Sequence, residues 1–201
     1  MSNSLIRTSK KLSWLLRHGA NETGLTMDAA GWAPVDEVLR ILRLTPGQLQ
    51  AAFEQNDKQR LQIRDGRVRC SQGHSTAGTP VTAEALEATW TPWSGDDIVF
   101  HGTYDGAVDG IAAGGIVPQA RTHVHLAASP DSKVGKRSRV HLLLHVSVAR
   151  LAEAGIGLFE APNGVLLARW VPVDCIVEVT AKTRRTRADE EAIRRRLLGS
   201  G

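Results

Sequence analysis

Arg60-Leu61-Gln62-Ile63-Arg64-Asp65-Gly66-Arg67-Val68-Arg69-Cys70 is the stretch on which the fold turns. Two alternating runs flank Asp65-Gly66, a pair that tolerates the positive φ angles of a tight two-residue turn, so the stretch reads as a β-hairpin. Successive strand side chains point to opposite faces. Leu61, Ile63, Val68 and Cys70 therefore share one face, and Arg60, Gln62, Arg64, Arg67 and Arg69 share the other. The register sets Arg64 opposite Arg67, a mildly unfavourable like-charge pair.

Upstream, three helices are expected. The first takes Thr8 or Ser9 as its N-cap and stops at Gly19, burying Leu12, Leu15 and Leu16 at i, i+3, i+4. The second opens at Pro34 and repeats Val35, Val38, Leu39 and Leu42 on one face. Asp36 and Glu37 in its first turn and Arg40 and Arg43 near its end match the helix dipole. The third opens on Thr45-Pro46-Gly47-Gln48, a capping box with proline at the first helical position, and buries Leu49, Ala52 and Phe53. Three helices followed by a hairpin resemble a winged helix, a common nucleic-acid-binding shape. The arginine face of the hairpin is then either a phosphate contact or a merely solvated basic face.

Downstream, residues 76–96 are rich in Thr, Ala, Gly and Pro and read as a linker with one short helical stretch. The second half is strand-rich, with runs at Ile98–Phe100, Arg121–Ala127, Val140–Val148, Val165–Ala168 and Cys175–Val179, and a helix near Asp105–Ala113 ending at Gly114-Gly115. Thr183–Leu198 mixes arginines with Ala, Ile and Leu and reads as a terminal basic helix. The fold class is α+β.

With 201 residues, 42% of them hydrophobic, the chain can pack one ordinary domain or two small ones. No run approaches the ~20 apolar residues of a membrane span, and the N-terminus lacks a signal-type apolar segment, so a cytoplasmic protein without a membrane partner is expected. The net charge of +4 is uneven. Residues 1–75 hold 11 basic and 7 acidic groups, residues 76–180 hold 7 and 11, and residues 181–201 hold 7 and 3. Arginine outnumbers lysine 19 to 6. Its planar fork grips phosphate at two points, so a basic, Arg-rich N-terminal third points to a phosphate-bearing partner, with arginine-rich base composition as the plain alternative.

Several groups are candidates for chemistry. Arg17-His18 fall in the last turn expected of helix one, where cations simply cap a helix and where any bound phosphate must be held by side chains. Arg121, His123 and His125 line one face of an expected strand and form a possible ligand wall. His141 and His145 share a strand face in an apolar run and read as satisfied core histidines. His101-Gly102-Thr103 ends a buried strand, where glycine lets a ligand approach and the flanking side chains offer hydrogen bonds to a ribose. There is neither a GxGxxG nor a GxxxxGK[ST] motif. Cys70 and Cys175 stand in no metal-ligand spacing, so they are expected as reduced, buried thiols, and no metal is expected.

Taken in order, LSWLLRHGA, GWAPVDEVL, NDKQRLQI, QGHS, HGT, RTHVHLA and NGVLL resemble the RNA 2′-phosphotransferases, the tRNA-splicing enzymes of the KptA type. The resemblance spans about residues 8 to 180. It implies an N-terminal winged-helix-like RNA-binding lobe over 1–75, a linker over 76–96, a C-terminal β-rich lobe of ADP-ribosyltransferase type that binds NAD over 97–180, and a basic tail over 181–201. It also implies a phosphate-handling tetrad at Arg17, His18, Arg60 and Arg121, and an NAD set at His101, Gly102, Thr103 and His125. Three positions depart from the family pattern: Leu61 stands where an aromatic is usual, Ala127 where Ser is usual, and Leu166 where Trp is usual.

The activity so implied removes an internal RNA 2′-phosphate, such as that of a tRNA splice junction, with NAD as co-substrate. The phosphate attacks the nicotinamide-ribose anomeric carbon, and the 2″-hydroxyl of that ribose then attacks phosphorus. The products are 2′-hydroxyl RNA, nicotinamide and ADP-ribose 1″,2″-cyclic phosphate. A monomer without metal suffices for such chemistry. Two other readings share parts of this sequence: an ADP-ribosyltransferase acting on phosphorylated nucleic-acid ends, and a non-catalytic RNA-binding regulator.

Overall fold

The computed structural model describes residues 3–55, 59–132 and 140–199, so Asn56, Asp57 and Lys58 of the NDKQR motif lie outside the described residues. The chain is α+β and divides into two compact units, Met1–Trp90 with Ala120–Thr122, and Thr91–Gln119 with His123–Gly201.

In the first unit, α1 (Asn3–Trp14) widens into a π-turn over Leu15–Gly19 and continues as α2 (Ala20–Thr23). The helix therefore starts before Thr8 and runs past Gly19, contrary to the expected bounds. Thr8 does not cap anything: its hydroxyl donates to the Ser4 carbonyl at 3.2 Å, a bond four residues back inside the helix. Gly19 does not stop the helix either. The C-cap is Gly24, in the left-handed region with φ 68°, its amide bonded to the Ala20 carbonyl. Arg17 and His18 consequently sit in the middle of a helical rod, inside a π-turn, rather than at a helix C-terminus.

The rest of the unit follows the sequence closely. After β1 (Ala33–Pro34) come α3 (Val35–Leu42) and α4 (Pro46–Glu54), the latter with the Thr45/Gln48 capping box formed in both directions. β2 (Leu61–Arg64) and β3 (Arg67–Cys70) pair antiparallel with Arg64 opposite Arg67, and β1 adds to β3. Asp65 and Gly66 have φ of 51° and 70°, the mirror-image turn that hairpins favour. Leu12, Leu15, Leu16, Val38, Leu49, Leu61, Val68 and Cys70 are buried in one core.

The arginine face of the hairpin is not uniform. Arg69 is 3% exposed and donates to Gln62 Oε1, the Ala30 carbonyl and Thr89 Oγ1, with its guanidinium 4.6 Å from the Trp32 ring centroid. Arg67 binds Asp28 at 3.0 Å and the Trp32 carbonyl at 2.9 Å. Both are committed to the protein itself, which narrows the basic face left for either a phosphate contact or solvent.

The stretch 76–96 carries α5 (Ala83–Glu87), capped by Thr82, and buries Thr79, Val81, Leu86 and Trp90. The Trp90 indole donates to the Ser71 carbonyl at 3.0 Å.

The second unit begins with β4 (Thr91–Pro92) and β5 (Ile98–Thr103), then α6 (Val108–Gly114) and β6 (Val124–Leu126). β7 (Leu142–Ser147), α7 (Val148–Glu153), β8 (Leu158–Glu160), β9 (Leu166–Ala168) and β10 (Ile176–Ala181) follow. The last two helices are α8 (Arg184–Ala188) and α9 (Glu190–Leu198). One antiparallel sheet has the order β10-β7-β5 and another β4-β8-β9-β6. A reciprocal backbone pair, Phe100 with Ala127, ties β5 to the end of β6. Leu142, Leu143, Leu144 and Val146 of the central strand β7 are all buried, as a strand covered on both faces requires. The basic tail is two helices broken at Asp189, and Ile193 and Leu197 of α9 join the core.

Candidate functional site

The π-turn carries both Arg17 and His18. Trp14 rests the outer edge of its six-membered ring on Gly19, where any Cβ would come within 2.7 Å of it. The π-turn's own i→i+5 bonding shifts the carbonyls out of α register, and other groups take them. Thr23 Oγ1 donates to the Gly19 carbonyl at 2.7 Å. The Arg17 carbonyl accepts from the Ser75 amide at 2.8 Å and from the Ser75 hydroxyl at 3.3 Å. Ser75 Oγ also accepts from Gly78 N–H at 3.2 Å, and the Asn21 amide donates to the Gly78 carbonyl at 3.0 Å. Gly78 must be glycine at this approach, because a Cβ there would lie 2.0 Å from the His18 carbonyl oxygen.

Arg121 is fastened to the same point. Ala120–Thr122 runs antiparallel past Ser75: Thr76 N–H donates to the Ala120 carbonyl and Thr122 N–H to the His74 carbonyl, each at 3.2 Å. One serine thus joins the backbone of Arg17 to that of Arg121. Arg60 enters from the foot of β2, its carbonyl accepting from Ser71 N–H at 2.8 Å.

Arg17, His18 and Arg60 line one concavity of about 260 Å³ together with Ser9, Lys10, Ser13 and Trp14 of α1. Burial, then the fields of Arg17 and Arg121, lower the His18 pKa below its ordinary value. The imidazole is therefore neutral at pH 7, beside guanidiniums that stay charged. Arg17 Nε and Nη2 are buried and have no hydrogen-bond partner among the described residues. Burial pushes the Cys70 thiol up while the neighbouring Arg17 and Arg60 pull it down, so it is a core thiol beneath two cations. An anion with several oxygens is the ligand such a donor set suits.

Beneath the π-turn lies His74, fully buried, with neither ring nitrogen hydrogen-bonded among the described residues. Burial first, then Arg17, Arg69 and His18, push its pKa down to about 3. Gly31, at φ 84°, leaves room for its ring.

The NAD candidates gather in the second unit. His101, Gly102 and Thr103 end β5, and His125 lies on β6. His101 Nδ1 is 3.0 Å from the His125 carbonyl, which joins the two histidine-bearing strands next to the Phe100–Ala127 pair. The expected wall of Arg121, His123 and His125 does not form. Arg121 pairs with Ser75, strand pairing resumes only at Val124, and His123 is buried at 1% exposure. His145 Nε2 bonds Thr180 Oγ1 at 2.8 Å and its Nδ1 faces Glu178, while His141 Nδ1 faces Asp105 at 3.1 Å. No group of three or more metal-ligating side chains occurs among the described residues.

Reading the sequence singled out Arg17, His18, Arg60 and Arg121 but missed Ser9, Lys10, Ser13, Trp14 and Ser75. The first four carry a signal: Ser9-Ser13-Arg17 and Lys10-Trp14-His18 are two adjacent i+4 rows. Ser75 has no periodicity to mark it, because its partners are distant in sequence; it is visible only as the last residue of the QGHS motif.

A family profile described as RNA 2′-phosphotransferase, Tpt1 / KptA family, matches residues 3–169 of the chain. A protein named probable RNA 2′-phosphotransferase from Burkholderia lata is 38% identical over 189 residues, covering 89% of this chain and 93% of that one. Proteins of the same name from Pseudomonas aeruginosa and Pseudomonas syringae pv. tomato are 37% and 35% identical over 180 residues each, 85% of this chain and 95% and 92% of theirs.

Proposed function

As the chain belongs to the RNA 2′-phosphotransferase, Tpt1 / KptA family, we propose that it is an NAD-dependent enzyme that removes an internal 2′-phosphate from RNA, with a tRNA splice junction as the substrate type. In this reading the first unit is a winged-helix-like RNA lobe, and the second is an ADP-ribosyltransferase-like lobe that binds NAD. The observation that carries it is the convergence of Arg17, His18 and Arg60 on one concavity, with Arg121 fastened through Ser75 to the Arg17 backbone.

NAD supplies the acceptor: the 2′-phosphate displaces nicotinamide from the anomeric carbon, and the ribose 2″-hydroxyl then displaces the RNA, leaving ADP-ribose 1″,2″-cyclic phosphate. A phosphate monoester is already nucleophilic at pH 7, so the first step asks for positioning rather than a base. Arg17, Arg60 and Arg121 hold the dianion without giving it a proton, because guanidiniums stay charged. The second step crowds negative charge on phosphorus, where donors fixed in advance contribute most. His18 has its pKa lowered by burial and by Arg17 and Arg121. The bound phosphate, a dianion on arrival and a monoanionic diester once joined to the ribose, offsets those fields and raises the proton affinity of His18, which then passes a proton to the departing 2′-oxygen as the 2″-hydroxyl gives one up. His101, Gly102, Thr103 and His125 orient the nicotinamide ribose.

The test is incubation with NAD and an RNA bearing one internal 2′-phosphate, with every product resolved. Release of nicotinamide and cyclic phosphate with 2′-hydroxyl RNA is the expected result. A persistent ADP-ribosyl RNA would point to a transferase that stops after the first step, and no nicotinamide release would overturn the reading.

A further inference from the structure

The phosphate grip occupies only one end of its concavity. The other end is built from α1, where Ser9 and Ser13 continue the row of Arg17, and Lys10 and Trp14 continue the row of His18. Eight residues separate Lys10 from His18; at a rise of about 1.5 Å each, that is roughly 12 Å along the helix. A single phosphate cannot touch both. Lys10 makes no ion pair among the described residues. Trp14 is 42% exposed, and its ring is not loose, since its outer edge is seated on Gly19. An isolated exposed aromatic needs no explanation. One whose ring is pinned along a cationic groove, between a lysine and a phosphate grip, has the composition of a single-strand binding platform: a π-face for a base and a cation for the backbone.

We propose that this end of the concavity is a subsite for the nucleotide adjoining the 2′-phosphorylated one, its base stacked on Trp14 and its phosphodiester held by Lys10 with the Ser9 and Ser13 hydroxyls. The inference rests on reading the grip as an RNA phosphate site. It makes the substrate class an unpaired, phosphodiester-linked segment rather than a free nucleotide, because a base in a duplex has no exposed face to offer. Every base has a π-face, so the subsite selects single-stranded RNA without selecting sequence.

The experiment compares a trinucleotide carrying one internal 2′-phosphate with a nucleoside 2′-phosphate, using kcat/KM for nicotinamide release and, without NAD, the Kd of each ligand. Trp14→Ala is expected to weaken the trinucleotide by about 5- to 150-fold, the range for one stacked base, and at least tenfold more than the nucleoside 2′-phosphate. Trp14→Phe recovers most of that loss, which a purely structural role would not grant. Lys10→Ala gives a smaller loss that shrinks as salt is raised. Equal losses on both ligands, or none on either, overturn the subsite. If the wild-type protein releases no nicotinamide, the proposed activity fails, and the subsite is then decided by Kd alone: a wild-type protein that binds both ligands equally well overturns it.

Discussion

Ser75 holds Arg17 by the backbone rather than by the side chain, its amide and hydroxyl both donating to the Arg17 carbonyl at 2.8 and 3.3 Å. The π-turn makes this possible by putting that carbonyl within reach of a loop 58 residues away in sequence. The Arg17 guanidinium is left to serve the concavity. The same serine pairs with Arg121, so two cations far apart in the chain share one rigid reference point.

Gly78→Ala tests how tightly that reference point is built. A methyl group there would lie 2.0 Å from the His18 carbonyl and 2.6 Å from Ser75 Oγ, with backbone on one side unable to yield. The expected cost is about 3 kcal/mol, the upper end for forced overpacking. Gly66→Ala is the control: it has φ of 70° but nothing within 4 Å, so only backbone strain of about 1 kcal/mol applies. Urea midpoints of the two variants check the order; equal costs would contradict it.

Arg60→Ala and Arg121→Ala are expected to fold with wild-type far-ultraviolet spectra and to lose about 10²–10³-fold in rate each, the usual worth of a preorganised donor at a charged transition state. Single-turnover kinetics on 2′-phosphorylated RNA decides this. Near-normal turnover in either would remove that residue from the grip.

Arg69 and Arg64 sit on the same hairpin face yet should behave oppositely. Arg69→Ala strips the donor from Gln62, the Ala30 carbonyl and Thr89 at once, and is expected to cost about 3 kcal/mol. Arg64→Ala removes an exposed side chain that pairs with exposed Asp65 and lies 5.5 Å from the Trp32 ring centroid, and should stay within about 1 kcal/mol. Chemical denaturation of both variants checks the contrast.

His74 predicts an acid limb. Its pKa is about 3 when folded, against 6.5 for the ordinary imidazole. The neutral ring's contribution is complete above pH 6.5 and is lost as pH falls towards 3, because the unfolded chain takes up a proton that the folded one refuses. The slope for one proton approaches about 1.4 kcal/mol per pH unit. His74→Leu should flatten the loss of stability between pH 6 and pH 4 by up to that amount; identical slopes in the two proteins would refute the assignment.

The capping box at Thr45 and the Asp65-Gly66 turn were readable because their chemistry is local: the residues that form them are neighbours in the chain. The first helix was misjudged at both ends for the opposite reason. Thr8 is a fair cap by composition and Gly19 a fair stop, yet one is held by Ser4 within a longer rod and the other seats the Trp14 ring. The strand expected over Arg121–Ala127 alternates well, but Arg121 is claimed by Ser75 and only Val124–Leu126 pairs with β9. Side-chain periodicity describes faces; it does not say which distant backbone will claim a residue.

The attachment of Ala120–Thr122 to the first unit also sets an order of events in time. When Trp90 has been synthesised, the helices, the hairpin and most of that unit's core are present, but Arg121 and the strand partner of Ser75 are not. They arrive only after Thr91–Gln119 has been added, roughly 1.5–6 s later at ~5–20 residues per second on the ribosome. The nascent chain therefore carries Arg17 and Arg60 before it carries Arg121. The complete set of three arginines arises late, when the polypeptide doubles back and closes that loop.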